Sequence, residues 1–293
     1  MTQENDPMLR TPATTRFAPS PSGRLHLGHA YAALFAEARA RDGGGTFLLR
    51  IEDIDGGRSR PEYETAICED LAWLGVRWDG AVRRQSEHFD AYRGALAALE
   101  NSGLLYPCFC TRKEIAAEIA ASVQAPQGPE GPVYPGTCRT LSSDERADRV
   151  AAGRGFALRL NMDAAWARAR EMTGARLAFV ERGRGALACD ARPFGDVVLA
   201  RKVTPASYHL AVVVDDAAQG VTLVTRGEDL FPATHIHRTL QALLGLPVPD
   251  YEHHKLIADE NGTRLATRTL AATLSVLREK GATPAGIRER LGF

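Results

Sequence analysis

Apolar and polar positions in the first fifty residues alternate between two rhythms. Thr15 to Ser20 reads as a short strand that ends at Pro19, and Pro21, Ser22 and Gly23 supply a turn. From His26 to Arg41, Leu27, Ala30, Leu34, Ala38 and Arg41 recur three or four apart, the spacing of one helical face. Gly43, Gly44 and Gly45 stop that helix. Thr46 to Ile51 is an unbroken apolar run of strand type. Strand, turn, helix and strand in that order predict a βαβ unit on a parallel sheet, hence an α/β fold.

Two further helices are predicted, Pro61 to Leu74 and Ser86 to Gly103. Pro61 suits a first turn, and Gly103 suits a stop. The texture changes after Leu105. Residues 122–137 are rich in Pro, Gly, Gln and Ser and predict no regular element. An inserted subdomain is expected over residues 104–195. The apolar runs Asp196–Ala200, Leu210–Val214 and Val221–Thr225 are expected to form the second half of the sheet. Thr234 to Leu244 reads as a helix, and Thr269 to Lys280 and Pro284 to Leu291 as two short helices. The expected division is a disordered tail at 1–14, a catalytic domain at 15–245 interrupted by the insert, and a last segment at 246–293.

Composition narrows the partners. The 36 basic and 36 acidic residues cancel, which excludes a strongly basic coat but not a local basic face. No apolar run approaches the ~18 residues of a membrane span. Residues 1–14 lack the charged head and apolar stretch of a signal peptide, so a cytoplasmic protein is expected. Five cysteines without a secretory signal fit reduced thiols. Cys108, Cys110 and Cys138 fall close together, and three soft thiolates favour Zn²⁺. Free buried thiols are the competing reading.

The candidate chemistry is concentrated at two places. His26 and His29 lie three apart at the start of a predicted helix, so they share a face where backbone N–H groups and the helix dipole favour phosphate. Gly28 between them lets a flat ring approach the backbone. Alone, such a pair reads more readily as two surface histidines. Arg16 and Arg226 are natural partners for carboxylates, because a guanidinium fork binds them in two places. Glu52 suits an ammonium, and Tyr208 can donate a hydrogen bond. A structural Arg16–Glu52 ion pair between neighbouring strands is the alternative.

The run Arg16-Phe-Ala-Pro-Ser-Pro-Ser-Gly-Arg-Leu-His26-Leu-Gly-His29 resembles the strand–turn–helix signature of class I aminoacyl-tRNA synthetases in their glutamyl/glutaminyl form. Leu49–Asp55, Ser207–Asp216 and Val224–Leu230 match further segments in family order, over residues 14–292. The resemblance implies a Rossmann-like parallel sheet with a zinc-bearing insert, a short helical C-terminal segment and no anticodon-binding domain. It implies ATP, with Mg²⁺, as a substrate held by His26, Gly28, His29 and Thr267, and L-glutamate held by Arg16, Ala18, Ser20, Glu52, Tyr208 and Arg226. It implies a structural zinc on Cys108, Cys110, Tyr134 and Cys138. The chain stops soon after the nucleotide-site loop and so resembles the short branch of the family. That branch forms glutamyl-adenylate without tRNA and passes glutamate to the queuosine of tRNA(Asp). A monomer is expected.

One loop departs from the pattern. Where the family has Lys-Met-Ser-Lys-Ser, this chain has Arg264-Leu-Ala-Thr267-Arg268. The second lysine, which neutralises phosphate in the transition state, is replaced by Thr267. Either Arg268 substitutes for it, or activation is weakened, or the chain is a non-catalytic tRNA-binding or regulatory paralogue.

Overall fold

The computed structural model describes residues 12–121, 127–129, 131–174, 176–202, 204–257 and 273–293. The expected tail falls mainly at 1–11, and Arg264, Thr267 and Arg268 fall at 258–272, so these expectations lie outside the described residues.

The predicted βαβ start is present. β1 (Thr14–Phe17) runs into α1 (Leu27–Arg41) and returns as β2 (Thr46–Ile51), parallel to β1 with Arg16 opposite Leu48. Small residues let α1 lie close on the sheet: Ala30, Ala33, Ala36 and Ala40 are buried beside Leu27 and Leu34. Gly45 is obligatory for the close return, since a Cβ there would lie 2.2 Å from the Ala13 carbonyl oxygen. After α2 (Pro61–Trp73), β3 (Arg83–Arg84) extends the sheet in parallel beyond β2. α3 (Phe89–Asn101) then leads to β4 (Leu105–Cys108).

Beyond β4 the chain carries α4 (Arg112–Ala121), the small ladder of β5 (Gln127–Gly128) and β6 (Gly131–Pro132), α5 (Ser143–Ala151) and β7 (Ala157–Leu160). α6 (Met162–Met172), β8 (Ala178–Glu181), β9 (Gly185–Ala188) and β10 (Val198–Ala200) follow. The chain then forms α7 (Tyr208–Ala218), β11 (Leu223–Gly227), α8 (Ala233–Leu243) and β12 (Asp250–His254). α9 (Leu274–Glu279) and α10 (Pro284–Leu291) complete the described structure.

β11, β12 and β8 form a second parallel group, with β9 antiparallel at its edge. The two groups meet where Thr222 N–H donates to the Thr14 carbonyl at 3.0 Å. β1 is therefore flanked by β2 on one side and β11 on the other. Such a reversal of strand order opens a crevice at the carboxyl ends of the strands.

Two strand expectations are corrected, one strand was not foreseen, and residues 122–137, expected to form no regular element, carry the β5–β6 ladder. Leu210–Val214 lies inside α7, not in the sheet; Leu210, Ala211, Val212 and Val213 are all buried, and a buried helix is apolar on every side, so its pattern reads like that of a buried strand. Val198–Ala200 pairs antiparallel with β7, which pairs with β4, so it completes the sheet of the insert. β8, only four residues long and within 104–195 by sequence, returns to the main sheet.

Candidate active site

The crevice is built from the ends of three strands. Arg16 comes from β1, Glu52 immediately follows β2, and Arg226 lies near the end of β11. The Glu52 N–H donates to the Pro19 carbonyl at 3.0 Å, which ties the exit of β2 to the turn after β1. Arg16, Ala18, Glu52, Tyr208 and Arg226 line one cleft of about 180 Å³, with Ala32, Thr225 and Leu230 among the other walls. Ser20 is exposed on the turn and does not line it.

The two arginines differ in their compensation. Arg16 Nε and Nη2 donate to the two oxygens of Asp216 at 2.9 and 3.4 Å, and Nη1 donates to the Thr225 carbonyl at 3.2 Å. Arg50, fully buried, lies with Nη2 2.8 Å from Asp216 Oδ1, an ion pair whose alignment falls short of a hydrogen bond. Burial pushes the Asp216 carboxyl up, but the two guanidinium groups outweigh it and hold it below the usual range. Arg226 is held differently. Its Nε donates to His253 Nε2 at 3.0 Å, Nη1 to the Tyr208 hydroxyl at 3.3 Å and His237 Nδ1 at 3.0 Å, and Nη2 to Thr234 Oγ1 at 2.7 Å. Burial, then the charge of Arg226, lowers His253 to about 3 and takes His237 well below its ordinary value, so both rings are neutral. Among the described residues Arg226 forms no ion pair, although it is only 6% exposed. A buried cation with neutral partners is a site for an anion.

Glu52 is the opposite pole. Burial lifts its carboxyl to about 7 against the pull of Arg50 and Arg16. The alternative reading, an Arg16–Glu52 ion pair, is not formed. Arg16 closes on Asp216, and Arg50 Nη2 lies 3.7 Å from Glu52 Oε1. Sequence reasoning missed Asp216, Arg50 and three partners of Arg226, namely His253, His237 and Thr234. A signal for Asp216 existed: two carboxylates end the apolar run Leu210–Val214, and buried carboxylates require cations.

His26 and His29 flank the start of α1. His26 is the N-cap, and its Nδ1 accepts from the Gly28 N–H at 3.1 Å. His29 Nδ1 accepts from the His26 N–H at 3.2 Å. Both Nδ1 atoms are acceptors, so both rings carry their proton on Nε2. The ring centroids are 3.8 Å apart, and burial, then His26, lowers His29 to about 3. The pair is thus two neutral donors. Thr273, where the described chain resumes after residue 257, pairs its backbone with His26.

A larger cavity of about 510 Å³ adjoins the cleft and shares Tyr208 with it; Ile54, Asp55, Tyr134, Arg159 and Ser207 are among its walls.

The cysteine expectation gathers as well. The Sγ atoms of Cys108, Cys110 and Cys138 lie within 4.8 Å of one another. The Tyr134 hydroxyl is 3.4 Å from Cys108 Sγ and 3.7 Å from Cys110 Sγ, and it accepts from the Cys138 N–H at 2.9 Å. Tetrahedral Zn²⁺ with Zn–S near 2.3 Å needs sulfurs about 3.8 Å apart, so the donor set fits that ion.

Residues 12–292 match the family described as tRNA synthetases class I (E and Q), catalytic domain. The chain belongs to that family and is an aminoacyl-tRNA ligase. It is 52% identical over 283 residues to a Rhodobacter capsulatus protein named Glutamyl-Q tRNA(Asp) synthetase, covering 95% of this chain and 99% of that one. A Nocardia farcinica protein of the same name is 45% identical over 269 residues, covering 92% of this chain and 80% of that one. The fold is similar to that of a glutamate tRNA ligase from Elizabethkingia meningosepticum in complex with its amino acid (TM-score 0.77, 26% identity, 96% of this chain). This chain spans 60% of that neighbour. Among the described residues, no helix is long and apolar enough to cross a membrane.

Proposed function

We propose that this chain activates L-glutamate with ATP, without tRNA, and passes it to the queuosine of tRNA(Asp). The single observation that carries the first half is the buried Arg226, without an ion pair among the described residues, lining one cleft with Glu52. Glutamate offers a side-chain carboxylate to Arg226 and Tyr208 and an ammonium to Glu52. Arg50 first, and then Arg16, both beside Asp216, oppose the burial of Glu52 and keep it partly ionised. The carboxylate of the bound amino acid attacks the α-phosphorus of ATP, and pyrophosphate leaves. The Nε2–H groups of His26 and His29 face the developing phosphate charge as neutral donors. Ser20, on the exposed turn after β1, remains a candidate. Arg268 takes the place of the lysine that Thr267 lacks.

The second half rests on the names of the 52% and 45% identical relatives. The acceptor nucleoside would enter the larger cavity, which shares Tyr208 with the glutamate cleft. Cys108, Cys110, Cys138 and Tyr134 would hold one structural Zn²⁺, with the Cys138 N–H steadying the phenolate. A closed four-ligand shell orders the insert and takes no part in the reaction. Glutamate-dependent exchange of pyrophosphate into ATP without tRNA tests activation. Exchange supported by another amino acid and not by glutamate would overturn it.

A further inference from the structure

Arg226 is held by a chain of bonds that begins on a different part of the sequence. Glu181 ends β8, is only 3% exposed, and pairs in register with Tyr251 of β12. One carboxylate oxygen accepts from the His253 backbone N–H at 2.9 Å, and the other lies 2.8 Å from His253 Nδ1. A carboxylate can only accept, so Nδ1 carries the proton and Nε2 is left as an acceptor. That nitrogen receives Arg226 Nε–H. Burial keeps the ring neutral.

The interposed ring has a consequence for charge. A carboxylate in direct contact with Arg226 would neutralise it and compete with an acidic ligand. Glu181 sits one ring away, so it fixes the guanidinium plane without placing a carboxylate on it. His237 works the same way from the other side: its Nδ1 accepts from Arg226, and its Nε2 lies 3.2 Å from His209 Nδ1. Among the described residues, Nε, both hydrogens on Nη1 and one on Nη2 of the five N–H groups of Arg226 are engaged, which leaves one Nη2 hydrogen and the Tyr208 O–H for a ligand.

We infer that Glu181, acting through His253, is a positioning residue that orients Arg226 toward an acidic side chain while leaving its charge unspent. The inference rests on the reading of this cleft as the glutamate site. Glu181→Gln preserves shape but cannot accept both His253 bonds. In pyrophosphate exchange, E181Q should raise the glutamate KM roughly tenfold, with kcat and the ATP KM within about twofold. Its preference for glutamate over glutamine should shrink by a similar factor. A folded E181Q with an unchanged glutamate KM, or with both KM values raised equally, overturns the inference. Should E181Q fail to fold, His253→Gln carries the same test, since its amide can still accept from Arg226 but loses the ring that links it to Glu181. Failure of the unaltered enzyme to activate glutamate would instead sink the assignment of the cleft, so the two outcomes are distinct.

Discussion

Arg16 and Asp216 lie 200 positions apart in the chain and are joined at 2.9 Å in the fold. This pair consumes the guanidinium fork of Arg16 and leaves Arg226 as a cation of the cleft with no carboxylate of its own among the described residues. The two arginines, alike in sequence context, therefore have different work. Arg226→Ala should raise the glutamate KM about a hundredfold or more, because a pocket built for a charged group loses its cationic partner. The ATP KM should stay within a few fold. Equal effects on the two substrates would remove Arg226 from amino-acid recognition.

Glu52 gives the cleft a pH dependence. Its carboxyl is raised to about 7 by burial, with Arg50 and Arg16 opposing. The ionised form pairs with an ammonium and the protonated form does not, so binding is lost as pH falls. The glutamate KM should be flat above about pH 8 and climb toward tenfold per unit well below 7. Bound ammonium stabilises the carboxylate, so kcat should fall only at a lower pH. Kinetics across that range would reveal a problem if the KM rose toward high pH instead.

The cysteine cluster makes a metal prediction independent of activity. Protein purified without chelator should carry about one zinc per chain. Cys138→Ser should lose it and loosen the insert, since Cys138 supplies both a thiolate and the N–H that steadies Tyr134. A metal-free protein with three freely titrating thiols at Cys108, Cys110 and Cys138 would reject the site.

The start of the fold was legible because it obeys local rules: glycine stops, a three-to-four spacing and Pro-Ser-Gly turn chemistry mark β1, α1 and β2 without ambiguity. The ends of those strands carry Arg16 and Glu52, so that half of the cleft was legible too. Leu210–Val214 was misread because a helix buried on all sides has no polar face to give it a period. β8 escaped notice because four residues carry little pattern. The pairing of Arg16 with Asp216, and the link from Glu181 through His253 to Arg226, are long-range contacts that local spacing does not encode.

Thr267 stands outside the described residues, and its test is functional. If Arg268 serves in place of the missing lysine, Thr267→Lys should change glutamate-dependent pyrophosphate exchange by less than about tenfold. A gain of several orders of magnitude would show that the natural loop is crippled.

The most direct measurement is transfer of radiolabelled glutamate after activation. The purified chain should label tRNA(Asp) bearing queuosine, and leave unmodified tRNA(Asp) and tRNA(Glu) unlabelled. Labelling of tRNA(Glu), or equal labelling of tRNA(Asp) with and without queuosine, would contradict the account.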